Sequence, residues 1–415
     1  MKTNFNNADK QQLQILTDKG FTNLSDVAIN DTVYNAKGNK TYIKSKRTIS
    51  EPCYTILFSN GISINLGESQ LIDCYRNEII SSHRLKDKKG KTLHDKNGKL
   101  TNKRITNYKD IFYIEPMKDF YNTFRTNKPR LIGHKNYITY KLNDKLKFNS
   151  KNLPLSPYYL GALLGDGNIS GNNAIRSDNT LGGTPSFTNN ITEDPDIMNR
   201  ILKEAKQIGD ILTIQQIKIN KNNKNETYDV RITGTNTREK LRQLGLWGTN
   251  CYNKFIPTQY LLSSKEDRLE LLRGLMDTDG YFTICKCGNK LKKMAGFGVT
   301  SEQLVKDIKF LIYSLGGSTG RICKKQCKYR INGELHLLNH YEYRFEIRMP
   351  KNISIFNCKR KKEREKSVKL KSKKMNTLDI AIKDIKKCGV RNVTKIKLAD
   401  GSNSFIGNDF LKFRV

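Results

Sequence analysis

The sequence predicts an α+β protein: a pseudo-symmetric two-repeat domain, αββαββα in each half, inserted in a mostly β domain. Three observations predict it. Two apolar, small-residue helices end in Asp-Gly, over residues 159–167 and 272–280. The pattern that follows the first is repeated after the second, and the two motif aspartates lie 113 residues apart. On either side of this region, short apolar runs are broken by turn residues, which marks strands.

Residues 1–150 form the N-terminal part of the β domain. A short helix is expected within 8–30, ending in a turn at Gly20. Strands follow at 32–34, 41–43, 54–58 and 62–64, and Asn60-Gly61 marks a hairpin between the last two. The Lys-rich insertion at 76–110 reads as a long hairpin or a mobile basic loop. Extended segments come next, at 110–114 and 136–140.

The character changes at Pro154 to Pro157. Ser156 is a suitable helix cap and Pro157 a suitable first helical residue. From here residues 151–366 form the two-repeat domain, with repeats at 156–257 and 266–362. After the first motif helix come an extended Phe187 segment, an amphipathic helix at 195–208, a hairpin (211–219 with 227–232) and a closing helix at 237–244. After the second come the Phe297 segment, a helix at 301–315 and a hairpin (319–331 with 341–349). The basic block 359–374 is either a helix that touches phosphates or a solvated linker. Residues 367–415 return to the β domain, with strands at 393–398, 404–406 and 410–413.

Charge narrows the function classes. Lys plus Arg number 75 against 40 Asp plus Glu, a formal charge of +35 that points to a polyanion, with nucleic acid foremost. No 18-residue apolar run spans a bilayer, and the polar N-terminus lacks a signal-peptide core, so a cytoplasmic protein is expected. The nine cysteines form no disulfide framework. Cys285, Cys287, Cys323 and Cys327 are either four thiolates for zinc or unliganded cysteines in a hairpin.

The motif helices carry the chemistry. A carboxylate at a helix C-terminus faces the negative end of the helix dipole unless a cation offsets it. Gly161 and Gly165 on the first helix, and Gly274 and Thr278 on the second, make smooth faces that allow close approach. Parallel packing would bring Asp166 and Asp279 together, where they would repel unless divalent cations sat between them. Such a pair can activate water against a phosphodiester, and Mg²⁺ suits one or two carboxylates plus phosphate oxygens. The hairpins offer a twisted surface with Arg176, Lys218, Asn220, Lys221, Arg231, Lys290, Lys292 and Arg330, wide enough to read a major groove.

At these residues the sequence resembles the LAGLIDADG homing endonucleases in their two-repeat, single-chain form. Leu272-Arg273-Gly274-Leu275-Met276-Asp277-Thr278-Asp279-Gly280 is similar to the second motif, and Tyr159-Leu160-Gly161-Ala162-Leu163-Leu164-Gly165-Asp166-Gly167 to the first. The resemblance implies Mg²⁺-dependent double-strand cleavage of DNA at a long site, with Mn²⁺ as a substitute metal. It also implies a monomer whose internal symmetry stands in for a dimer. It carries catalytic and metal-binding roles onto Asp166 and Asp279, and extends the metal site to Gly165 and Thr278. Asn253-Lys254-Phe255-Ile256-Pro257 is similar to a block of the intein-associated members, which places Lys254 near the scissile phosphate. The partner lysine would fall near Cys358-Lys359-Arg360-Lys361, where Lys359 and Lys361 are expected on DNA.

The flanks resemble the two pieces of an intein (Hint) splicing domain with its chemistry lost. Gly67 and Gln70 stand where that domain has threonine and histidine, and Arg414-Val415 where it has His-Asn. Met1 stands in place of a Cys or Ser nucleophile. Glutamine cannot protonate a leaving amide, and valine has no amide to cyclise. The expectation is therefore a homing endonuclease with splicing-inactive flanks. An autocatalytic intein, or a catalytically silent DNA-binding protein, are the alternatives.

Overall fold

The computed structural model describes residues 9–84, 104–133, 138–140, 148–171, 182–189, 193–220, 225–287, 290–331, 334–367 and 380–415. Its α-helices, in chain order, are α1 (Met117–Gly133), α2 (Pro157–Gly165), α3 (Pro195–Gln207), α4 (Asn236–Gln243), α5 (Thr258–Leu261), α6 (Lys265–Thr278), α7 (Glu302–Ser314) and α8 (Lys359–Lys366).

The two ends of the chain build one sheet. The strand Lys40–Phe58 runs antiparallel to Ile380–Leu398, from Ile382 opposite Phe58 to Leu398 opposite Ile43. Gly61, at φ 94°, turns the chain from the first of these strands into Ile62–Gly67. The strands Leu71–Arg84 and Arg104–Pro116 pair as a long hairpin, and residues 85–103 of the basic insertion lie outside the described residues.

Between these ends, helices alternate with paired strands twice over. α2 is followed by two strands, α3, two strands and α4; the strands form one sheet, in the spatial order Gly167–Asn168, Ser186–Asn189, Asn225–Thr233, Ile211–Asn220. α6 is followed by Tyr281–Cys287 and Lys290–Val299, then α7, then a second sheet partner set in which Glu334–Arg348 pairs with both Cys323–Ile331 and Lys290–Val299. α8 closes this part. Buried side chains from both ends and from the middle belong to one continuous core.

One local expectation fails, and one helix was not expected. The described part of 8–30, residues 9–30, holds no helix: it forms strands Asp9–Gln11, Gln14–Thr17 and Gly20–Asn23. Tertiary partners decide this, because Asp9 to Gln11 pair in parallel with Ile62 to Ile64, and Ile15 and Leu16 are fully buried. The opposite error is α1, which the sequence reading passes over. Its apolar face is sparse, with Met117, Phe120 and Phe124 buried at helical spacing among polar residues. Among the described residues, no helix is long and apolar enough to cross a membrane.

Candidate functional site

α2 begins with the Ser156 hydroxyl accepting from the Tyr159 amide, and α6 with Ser264 accepting from the Asp267 amide. The two helices pack backbone to backbone. A methyl group on Gly161 would collide with the Leu271 carbonyl, and one on Gly274 with the Tyr158 carbonyl. Gly161 faces Gly274, and further along Gly165 faces Thr278, so the helices run in parallel and end together. A side chain on Gly165 would strike the Thr278 hydroxyl and lie 3.6 Å from the Asp279 carboxyl carbon.

Asp166 and Asp279 are the C-cap residues of these two helices, both with right-handed helical backbone. Their carboxyls lie close enough to interact directly, an arrangement that favours a proton on one of them when no cation is bound. Burial in dense protein raises both above the ordinary carboxylate range, and the charge of Asp279 raises Asp166 further. Asp279 is nonetheless open to solvent and Asp166 partly so. The two are therefore surrounded by protein but reachable from solvent. A cavity of about 220 Å³ opens beside them, lined by Asp279, Gly165, Lys254, Thr300, Cys251 and Glu342 among others.

Each helix end is clamped by a buried lysine. The Lys254 ammonium donates to the carbonyls of Leu163 (3.1 Å), Leu164 (3.0 Å), Gly165 (3.1 Å) and Gly167 (2.6 Å). Lys361 does the same at α6, donating to Met276 (2.9 Å), Asp277 (2.6 Å), Thr278 (3.3 Å) and Gly280 (2.7 Å). The last carbonyls of a helix lack intrahelical partners, and a cation there also offsets the dipole. Burial lowers both lysines, Lys254 to about 8, while Asp279 and Asp166 pull Lys254 back up and Asp277 does so for Lys361. The carbonyls of Gly165 and Thr278 each accept from one of these lysines.

The structure thus brings Asp166, Asp279, Lys254, Gly165, Thr278 and Lys361 together. Lys361 is not on the outer surface where a DNA contact was expected. It is the counterpart of Lys254 that the sequence reading left unplaced. The spacing held a signal, since Lys361 follows Lys254 by 107 residues, close to the offset of the aspartates.

The remaining predicted positions are scattered. Arg231 is exposed on its strand and paired with Asp229 at 3.2 Å, and Lys359 is exposed at the start of α8. Arg176 and Lys221 lie outside the described residues, as do the side chains of Lys218, Asn220, Lys290, Lys292 and Arg330, whose backbones lie on strands. Cys323 and Cys327 are free thiols, and the side chains of Cys285 and Cys287 lie outside the described residues. Among the described residues, the possible metal ligands that converge are instead Asp194, Asp196 and Cys358. Arg360 already occupies the Asp194 carboxylate, and burial pushes the Cys358 thiol up to about 12, so these groups bind one another rather than stand open to a metal.

No protein-family sequence model matches the chain. It is similar to a protein of Mycobacterium intracellulare named replicative DNA helicase DnaB, at 26% identity over 302 residues. The match takes in 72% of this chain and 41% of that protein, so the chain spans less than half the length of this curated relative. These findings correct the assignment drawn from the motifs. The similarity found is to a replicative helicase, and no LAGLIDADG or Hint family model is matched. The identification as a homing endonuclease between intein-derived flanks is therefore withdrawn, and with it the mobile-element reading.

Proposed function

We propose that the chain acts on DNA, and that the Asp166–Asp279 pair is a divalent-metal centre for phosphodiester hydrolysis. The observation that carries this is two adjacent carboxyls at the convergence of two helix C-termini, each end clamped by a lysine. Such an arrangement is costly unless it holds a cation. The similarity to a protein named as a DNA helicase, and the +35 charge, favour DNA as the polymer.

Asp166 and Asp279, with the carbonyls of Gly165 and Thr278, would hold Mg²⁺, or Mn²⁺ in its place. The bound metal would supply an activated water and stabilise the leaving oxygen. The chain's own contribution is positional. Lys254 and Lys361 fix the helix ends, and the Gly161–Gly274 contact sets the spacing of the carboxylates. Basic side chains such as Arg231 and Lys359 would bear on phosphates. Purified protein incubated with duplex DNA and Mg²⁺ or Mn²⁺ should break strands, and Asp166→Asn or Asp279→Asn should stop it while DNA binding survives. Strand breakage that persists in both variants would end this reading.

Unwinding is the second reading, favoured by the relative's name. A nucleotide-driven motor uses a phosphate-cradling loop, and the sequence contains no G-x-x-x-x-G-K-S/T. DNA-stimulated ATP hydrolysis by the purified chain would put unwinding ahead.

A further inference from the structure

We infer that Asp307 and Asp194 are positioning residues, each fixing the lysine clamp of the opposite half of the molecule. The placement of Lys254 and Lys361 on equivalent helix ends does not by itself say what holds them there. The hydrogen bonds around each lysine-bearing segment do.

Lys254 follows the first half's strands and caps α2, but its segment is tied to α7 of the second half. The Asp307 carboxylate accepts from the Ile256 amide at 2.8 Å, and the Ser301 hydroxyl donates to the Lys254 carbonyl at 2.6 Å. Asp307 is nearly enclosed, and the Gln303 side-chain amide steadies it at 2.8 Å. Lys361 caps α6 of the second half, but its segment is tied to the start of α3 in the first. Asp194 accepts from the Cys358 thiol at 3.1 Å and from the Arg360 guanidinium through two nitrogens, and Asp196 accepts from the Lys359 amide at 2.6 Å. Asp277, on α6 itself, also receives the amides of Asn357 and Cys358. The anchoring is therefore crossed: each half carries one clamp and holds the other half's clamp in place.

The consequence is reciprocal. Loosening α7 near Asp307 frees the ammonium that caps Asp166's helix, and loosening the start of α3 frees the one that caps Asp279's helix. Each half thus leans on the other for part of the support of its own carboxylate. The link from clamp to hydrolysis rests on the metal-centre reading above; the crossed anchoring does not.

Amine acylation of the full chain, followed by peptide mass mapping, tests it. In the native protein Lys254 and Lys361 should react at least about tenfold more slowly than exposed lysines such as Lys306. Asp307→Ala should release Lys254 and leave Lys361 protected; Asp194→Ala should do the reverse. Asp307→Asn and Ser301→Ala, and Asp194→Asn on the other side, serve if an alanine variant unfolds. If both lysines respond alike to folded variants of either side, or neither responds, the crossed anchoring is wrong. If the native protein breaks no strand at all, the metal-centre reading fails while the acylation pattern still decides the anchoring.

Discussion

Asp166 and Asp279 each face the negative end of a helix dipole, and each faces the other. Two lysines answer the dipoles; the mutual repulsion and burial raise both carboxyls, so that one tends to hold a proton. Both carboxyls titrate above their unfolded range, so the metal-free fold carries a penalty that is fully present above the folded pKa and relieved as pH falls through it. Metal-free protein should therefore lose stability as pH climbs above the ordinary carboxylate pKa of about 4. Metal binding must expel such a proton, so affinity for Mg²⁺ or Mn²⁺ should rise about tenfold per pH unit while that proton is being lost. Titration calorimetry at several pH values reads this directly, and a flat profile would mean that the pair holds no proton. Asp279→Asn should abolish the metal heat and raise the metal-free melting temperature by about 2–6 °C. The acids were legible in sequence because Asp-Gly after a small-residue helix is locally odd. The clamps were less so: in a chain with 75 lysines and arginines, composition singles out none.

At the scale of elements, α2 and α6 are set by what their glycines exclude. The sites differ in what stands opposite. At Gly161 and Gly274 the obstacle is backbone, which cannot move aside. At Gly165 it is the Thr278 side chain, which can be removed. Gly161→Ala should then cost about 1–3 kcal/mol or more through overpacking, with no rescue by side-chain changes on α6. Gly165→Ala should also destabilise, but Thr278→Ala should restore most of the loss, a coupling of about 0.5–3 kcal/mol in a double-mutant cycle. Additive losses at Gly165 and Thr278 would mean that the helix ends do not touch. These two helices could be read from sequence because small residues and a terminal glycine agree with one another, joined by a Ser cap at α2. α1 could not, since only Met117, Phe120 and Phe124 mark its buried face. Nor could the full reach of the strands Lys40–Phe58 and Ile380–Leu398. Their middle portions are exposed on both faces, so no alternation of apolar and polar residues records them.

For the whole molecule, α7 connects the two ends of the chain to the candidate site. Its first turns hold the Lys254 segment through Ser301 and Asp307. Its last turns dock on the flanking sheet: Phe310 packs edge-on against Phe21 and Phe410, Lys309 pairs with Asp409 at 3.3 Å, and Tyr313 accepts from Asn60 at 3.3 Å. Asp409 and Phe410 adopt positive φ, 50° and 60°, a conformation that L residues pay for and that these packed contacts hold. The flanks are thus built into the core that supports the site. Phe310→Ala should cost about 3–5 kcal/mol. Because Phe310 joins residues from both ends of the chain to the middle, calorimetry should show one unfolding transition that moves down as a unit. Acylation of Lys254 should rise in the same variant below its melting temperature, since the helix that carries Asp307 has lost its footing. Two separate transitions, with only the flanking one shifted and Lys254 still protected, would show that α7 transmits nothing and that the flanks fold as an independent body.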